Sequence, residues 1–109
     1  MAFTEKTSDG AFNGTNAVDL VPAPAASTRR IVRSIYVFNN DTVTTTVTLR
    51  LNNNGALRVI ARAQLQPNEA LEFVRITVLD ATNKKIDGVL AAASTTAAPT
   101  FVCTFADAT

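Results

Sequence analysis

From Asp41 to Gly55 the chain reads DTVTTTVTLRLNNNG. Val43, Thr45, Val47, Leu49 and Leu51 share one parity, while Thr42, Thr44, Thr46, Thr48 and Arg50 take the other. Period two over this length predicts a half-buried strand, with β-branched threonine suited to its wet face. Asn52, Asn53, Asn54 and Gly55 tolerate positive φ, so the chain is expected to reverse there into a hairpin. Its second arm places Leu57, Val59, Ala61, Ala63 and Leu65 inward against Arg58, Arg62 and Gln64. Ile60 breaks the outward pattern.

The same reading extends along the chain. Ala17 to Val21 is a short strand ended by Pro22 and Pro24, which donate no ladder hydrogen bond. Strands are also predicted over 29–38, 70–73, 76–79, 85–92 and 100–105, with Pro67-Asn68-Glu69 as a turn. LAAAS is far shorter than the roughly 12 residues a helix usually needs. The expectation is therefore an all-β chain. About eight short antiparallel strands over residues 17–109 form a single β-sandwich, of jelly-roll or immunoglobulin-like type.

Two segments depart from this pattern. Ile35, Tyr36, Val37 and Phe38 are consecutive, so that end of its strand is apolar on both faces. Either a β-bulge near Arg33-Ser34 or covering loops account for it, or the second face packs on another subunit. Residues 1–16, MAFTEKTSDGAFNGTN, hold small polar residues and only two large apolar anchors, Phe3 and Phe12. They are expected to form an extended N-terminal arm, frayed or with its rings docked on a neighbour.

Composition narrows the function. The 109 residues suit one domain, and 47% are apolar. A net charge of +1 gives no bulk attraction to nucleic acid or an anionic membrane. No apolar run approaches the roughly 20 residues that span a bilayer. MAFTEKTSDG has no basic patch leading into an apolar segment, so a secretory signal is not expected, and synthesis in a reducing cytoplasm is.

The chain has no histidine, which removes the usual general base and the commonest zinc ligand. Cys103, the only cysteine, sits among Phe101, Val102 and Phe105 and is expected to be a buried small hydrophobe. Asp9, Asp19, Asp41, Glu69, Glu72, Asp80, Asp87 and Asp107 are scattered singly. LNNNG lacks the acidic ligands of a calcium loop, and Gly10, Gly14, Gly55 and Gly88 have no phosphate-binding spacing. No enzyme, metal or cofactor is expected. Arg29, Arg30 and Arg33 form the densest basic patch, read as a solvated edge, internal pairs or a contact for an acidic partner.

The order TSDGAFNGTNAVDLVPAPAASTRRIVRSIYVFNNDTVTTTVTLRL, then LQPNEALEF, VLDATNKKIDGVLAAA and a final strand ending FADAT, resembles small structural proteins of tailed bacteriophage virions. The resemblance runs from about Phe3 to Asp107. It implies a virion component that decorates or cements the capsid shell as a homo-oligomer, commonly a trimer, or sits at the head-tail junction or in the tail. The major capsid protein or another virion protein is the implied partner. Phe3, Phe12, Arg29, Arg30, Tyr36 and Phe38 are the candidate interface residues. A carbohydrate-binding module for host attachment is the alternative from another class. The absence of tryptophan and the single tyrosine, Tyr36, weigh against it.

Overall fold

The reversal after the threonine strand forms as its residues dictate. Asn54 and Gly55 have φ of 53° and 92°, the positive pair that a two-residue type I′ hairpin requires. The computed structural model describes residues 3–109. Within them the strands are β1 (Phe3–Ala11), β2 (Val18–Val21), β3 (Arg29–Phe38), β4 (Thr45–Asn53), β5 (Ala56–Leu65), β6 (Ala70–Phe73), β7 (Thr77–Leu79), β8 (Lys84–Leu90) and β9 (Thr100–Ala108).

These pair antiparallel into two sheets. One has the order β1-β9-β3-β6, with β7 pairing β3 beyond β6, and the other has the order β2-β8-β4-β5. The chain switches sheets at most of its connections and stays within one only at β4–β5 and β6–β7. This is the jelly-roll arrangement. An immunoglobulin order is excluded, because its first two strands share a sheet whereas β1 and β2 do not.

Residues 3–11, expected as part of a separate arm, are instead an edge strand. β1 runs against β9 from the pair Phe3↔Ala108 to the pair Ala11↔Thr100. The sequence reads as an arm because the inward positions of β1 carry no large apolar side chain. Gly10 lies under Phe101, whose ring stands 3.0 Å from where a Cβ would be. The Ser8 hydroxyl donates to the Leu20 carbonyl at 2.6 Å.

Phe12, expected as an interface anchor, belongs to the core of its own chain. It is 3% exposed and meets Phe101 edge-to-face, with ring centroids 5.7 Å apart. On the opposite sheet it rests on Gly88, where a Cβ would lie 2.6 Å from the ring. The two sheets are thus bridged by an aromatic ring seated on bare backbone. Leu20, Ile35, Leu49, Leu79 and Ile86 fill the remaining interior.

Two bulges set the facing of the long strands. The β3–β9 register slips between Val32 and Ser34 and leaves Arg33 as the extra residue, so a bulge lies where one of the alternatives placed it. The β4–β5 register slips between Leu49 and Arg50, so Ile60 is the extra residue on β5. Beyond that slip the parity of β5 inverts. Leu57 and Val59, expected inward, are 43% and 53% exposed, while Ile60 packs against the core. Val43, also expected inward, precedes the start of β4 and is exposed.

Cys103 is fully buried, and burial raises its thiol to a pKa of about 11. In native protein it should resist thiol reagents, and Cys103→Ala should cost ~1 kcal/mol or somewhat more in denaturant unfolding, with assembly unchanged. Phe12→Ala should lose about 3–5 kcal/mol of stability in urea. Gly88→Ala should cost about 1–3 kcal/mol alone by overpacking and much less once Phe12→Ala has emptied the space. Additive effects would show that the ring and the glycine do not meet.

Candidate functional site

The outer face of the β1-β9-β3-β6 sheet gathers exposed apolar side chains. Strand register aligns Asp9, Val102, Tyr36 and Glu72 in one row across four strands. Tyr36 is 38% and Val102 47% exposed, and half-buried Phe38 lies in the next row between Thr100 and Ala70. Further along the face, Val78 pairs with Ile31. Val74 and Ile76, on the connection between β6 and β7, are the most exposed at 74% and 70%. The dry side of β3 is occupied by Val32, Ile35 and Val37, so only Tyr36 and Phe38 of the apolar run look outward.

The six residues singled out in sequence therefore separate. Tyr36 and Phe38 share this outer face. Phe3 and Arg29 lie together at one end of the sandwich, lining an open cleft of about 480 Å³ with Ser27, Asp80 and Ala108. Phe12 is in the core. Arg30 is an internal clamp and offers no contact surface. Its guanidinium donates to both Asp107 oxygens at 2.8 and 3.1 Å and to the Pro22 carbonyl at 2.9 Å, and it lies 4.5 Å over the Phe105 ring. With a hydrogen bond from each of its three nitrogens and its side chain only 12% exposed, it ties β3 to β9 and to the loop after β2.

At the opposite end a polar clasp holds three loops, and it carries no legible signal in the sequence. Asn39 is fully buried and donates to the carbonyls of Val43 and Leu65 at 3.1 and 3.0 Å. Its own side-chain oxygen accepts the Asp41 amide at 3.0 Å. The Asp41 carboxylate accepts backbone N–H groups from Thr95, Thr96 and Thr42, each at 2.8 Å. These amides, with Thr95 and Thr96 foremost, hold its pKa at about 2. Strand ends and loops around the sheet edges are thereby fixed relative to one another.

The other carboxylates are mostly engaged in ion pairs. Asp87, 1% exposed, accepts from Arg50 at 2.8 Å and Asn52 at 3.1 Å. Asp19 pairs with Lys85, Asp80 with Lys84, Glu5 with Arg33, and Asp107 with both Arg30 and Lys6. Among the described residues no group of three or more His, Cys, Asp or Glu side chains could hold a metal ion. What the surface offers is contact area on a stiff sheet.

No protein-family model matches the chain, and no curated protein matches it in sequence. Solved structures do share its fold. A chain of the Bacillus endospore appendages, described as disulfide-linked pili, superposes with a TM-score of 0.55 at 15% identity, over 99% of this chain and 87% of that one. A chain of the cyanophage Pam1 capsid asymmetric unit gives 0.51 at 16% identity, over 97% and 82%. A chain of the virus-like particle of the giant freshwater prawn (Macrobrachium rosenbergii) extra small virus gives 0.51 at 10% identity, over 98% and 79%. At such identities the likeness establishes the fold, and a fold hosts many functions.

The clasp makes an acid-stability prediction. Asp41 has its folded pKa, about 2, below its usual value of 3.8, so it stabilises the fold fully above pH 4. That contribution is lost as the pH falls from about 4 towards 2. Asp107, lowered chiefly by Arg30, and Asp80, lowered chiefly by Lys84, act in the same direction. Asp41→Asn turns an NH₂ towards one of the donating amides. Its urea midpoint should be lower than wild type at pH 7 and should fall less steeply between pH 4 and 2. Parallel pH profiles for the two proteins would contradict the clasp.

Proposed function

We propose that the chain is a non-enzymatic structural subunit of a virion, which decorates or cements the capsid shell by bridging capsid subunits as a homo-oligomer, with a trimer as its symmetry. The observation that carries this reading is the exposed apolar face of Tyr36, Val102 and Val78, extended by Val74 and Ile76. Clustered apolar groups on a rigid, polar-rimmed surface mark contact sites. The jelly-roll fold shared with capsid chains supports the same reading, as does the chain's resemblance to small structural proteins of phage virions. A head-tail or tail position uses the same kind of surface and is the second reading. A sugar-binding role has less support, since the face holds one tyrosine and no tryptophan.

Antibody labelling of purified particles, followed by cryo-electron microscopy, tests the location. Density on the head supports the decoration role, density at the neck or tail supports the second reading, and absence from particles overturns both. Tyr36→Asp should give a folded protein of monomer mass in light scattering where wild type gives a trimer. Val37→Asp, aimed into the core, should unfold. A Tyr36→Asp protein that keeps the wild-type mass would remove this face from the interface.

A further inference from the structure

We infer that a second copy of this chain covers the Tyr36–Val102 row, and that it does so with a different surface, the outer side of β5. The inference rests on the self-association proposed above and assigns its two halves. The first half is the row Asp9–Val102–Tyr36–Glu72, an apolar pair with an exposed carboxylate at each end. Neither Asp9 nor Glu72 belongs to an ion pair among the described residues, although Glu5, Asp19, Asp80, Asp87 and Asp107 all do.

The second half arises from the Ile60 bulge. By inverting the parity of β5, the bulge places Leu57 and Val59 opposite Asn52 and Arg50, on the solvent side of the other sheet. Exposed Arg62, paired with Thr48, shares that face, whereas Arg58, paired with Leu51, points to the other side of the strand. Arg58 donates only to the neighbouring Leu57 carbonyl, and Arg62 only to the Thr48 hydroxyl. Neither is in an ion pair among the described residues. Two free carboxylates flanking two apolar groups therefore face a free guanidinium group, that of Arg62, beside two apolar groups. Of the other cations without an ion pair among the described residues, Arg58 is on the opposite side of β5, and Arg29 and Arg75 lie at the start of β3 and on the β6–β7 connection. Opposite charge steers such patches together and discourages either from meeting its own kind.

The contact is consequently heterologous: patch one of a copy meets patch two of the next. Head-to-tail contacts close into a ring when their rotations complete a turn, and otherwise run on as a filament.

The test uses two single substitutions and light scattering. Val102→Asp spoils patch one and Val59→Asp spoils patch two, so each alone should be folded and monomeric. Mixed in equal amounts, they retain one good contact between them and should give a complex of twice the monomer mass that grows no further. Charge reversal checks the same assignment at exposed positions. Asp9→Lys with Glu72→Lys, and Arg62→Glu, should each be monomeric, and their mixture should associate in strict alternation, to a mass above that of the monomer. If Val59→Asp or the arginine reversal keeps the wild-type mass, or if the mixtures stay monomeric, the pairing of patches is wrong. A wild-type monomer that is nonetheless found on particles overturns this inference while leaving the virion reading intact. A wild-type filament dissolved by both variants supports the contact and rejects the trimer.

Discussion

In a two-layer sandwich each strand has one dry face, so the parity of a residue decides whether it fills the interior or meets what lies outside. Everything distinctive about this chain follows from how that parity is kept and where it is broken. β3 keeps Val32 and, after one extra residue, Ile35 and Val37 on the dry side. Without Arg33 as the extra residue, the second half of β3 would turn over, burying Tyr36 and expelling Ile35. The Ile60 bulge does the opposite on β5, sending Leu57 and Val59 outward to leave a strand end that is apolar yet wet. Both apolar patches on the exterior are therefore products of the two slips.

Much of the fold was legible because it is written locally. The Asn54-Gly55 reversal depends on residues adjacent in sequence and forms as predicted. β4 forms with Val47 and Leu49 inward, although Thr48, expected on the wet face, is also buried. Irregularities showed as breaks in pattern: the apolar run at Ile35–Phe38 and the misfit of Ile60 each sit at or beside a slip. A break announces a bulge without fixing its effect, which is why Leu57 and Val59 were assigned to the wrong side. β1 was unreadable for a different reason. Its inward positions are occupied by Gly10 and Ser8, chosen for the room and hydrogen bond they give to Phe101 and Leu20 on other strands.

The site was legible in part. Tyr36 and Phe38 could be found because an apolar run on both faces of a strand is unusual, and both look outward. Arg30 and Phe12 could not be separated from surface residues, since their partners Asp107 and Gly88 are distant in sequence. The same holds for Asp41, whose amide donors at Thr95 and Thr96 lie more than fifty residues away. Long-range polar pairings of this kind leave no periodic trace. They nevertheless fix the loops at one end and tie β3 to β9 and the loop after β2 at the other.

The position of β9 has a consequence for synthesis. It lies between β1 and β3, pairing with both, and its partners on β1 come from the opposite end of the described chain. Until β9 has emerged from the ribosome, β1 has no neighbour in its sheet and β3 lacks one of its two sides. Pairings of such long range are slow to form, because loop closure precedes any gain from contact. Val102 is itself a residue of β9, so the Tyr36–Val102 row does not exist on a nascent chain. Any association through that row is thus deferred until β9 is in place, and a chain not yet translated that far presents no such surface.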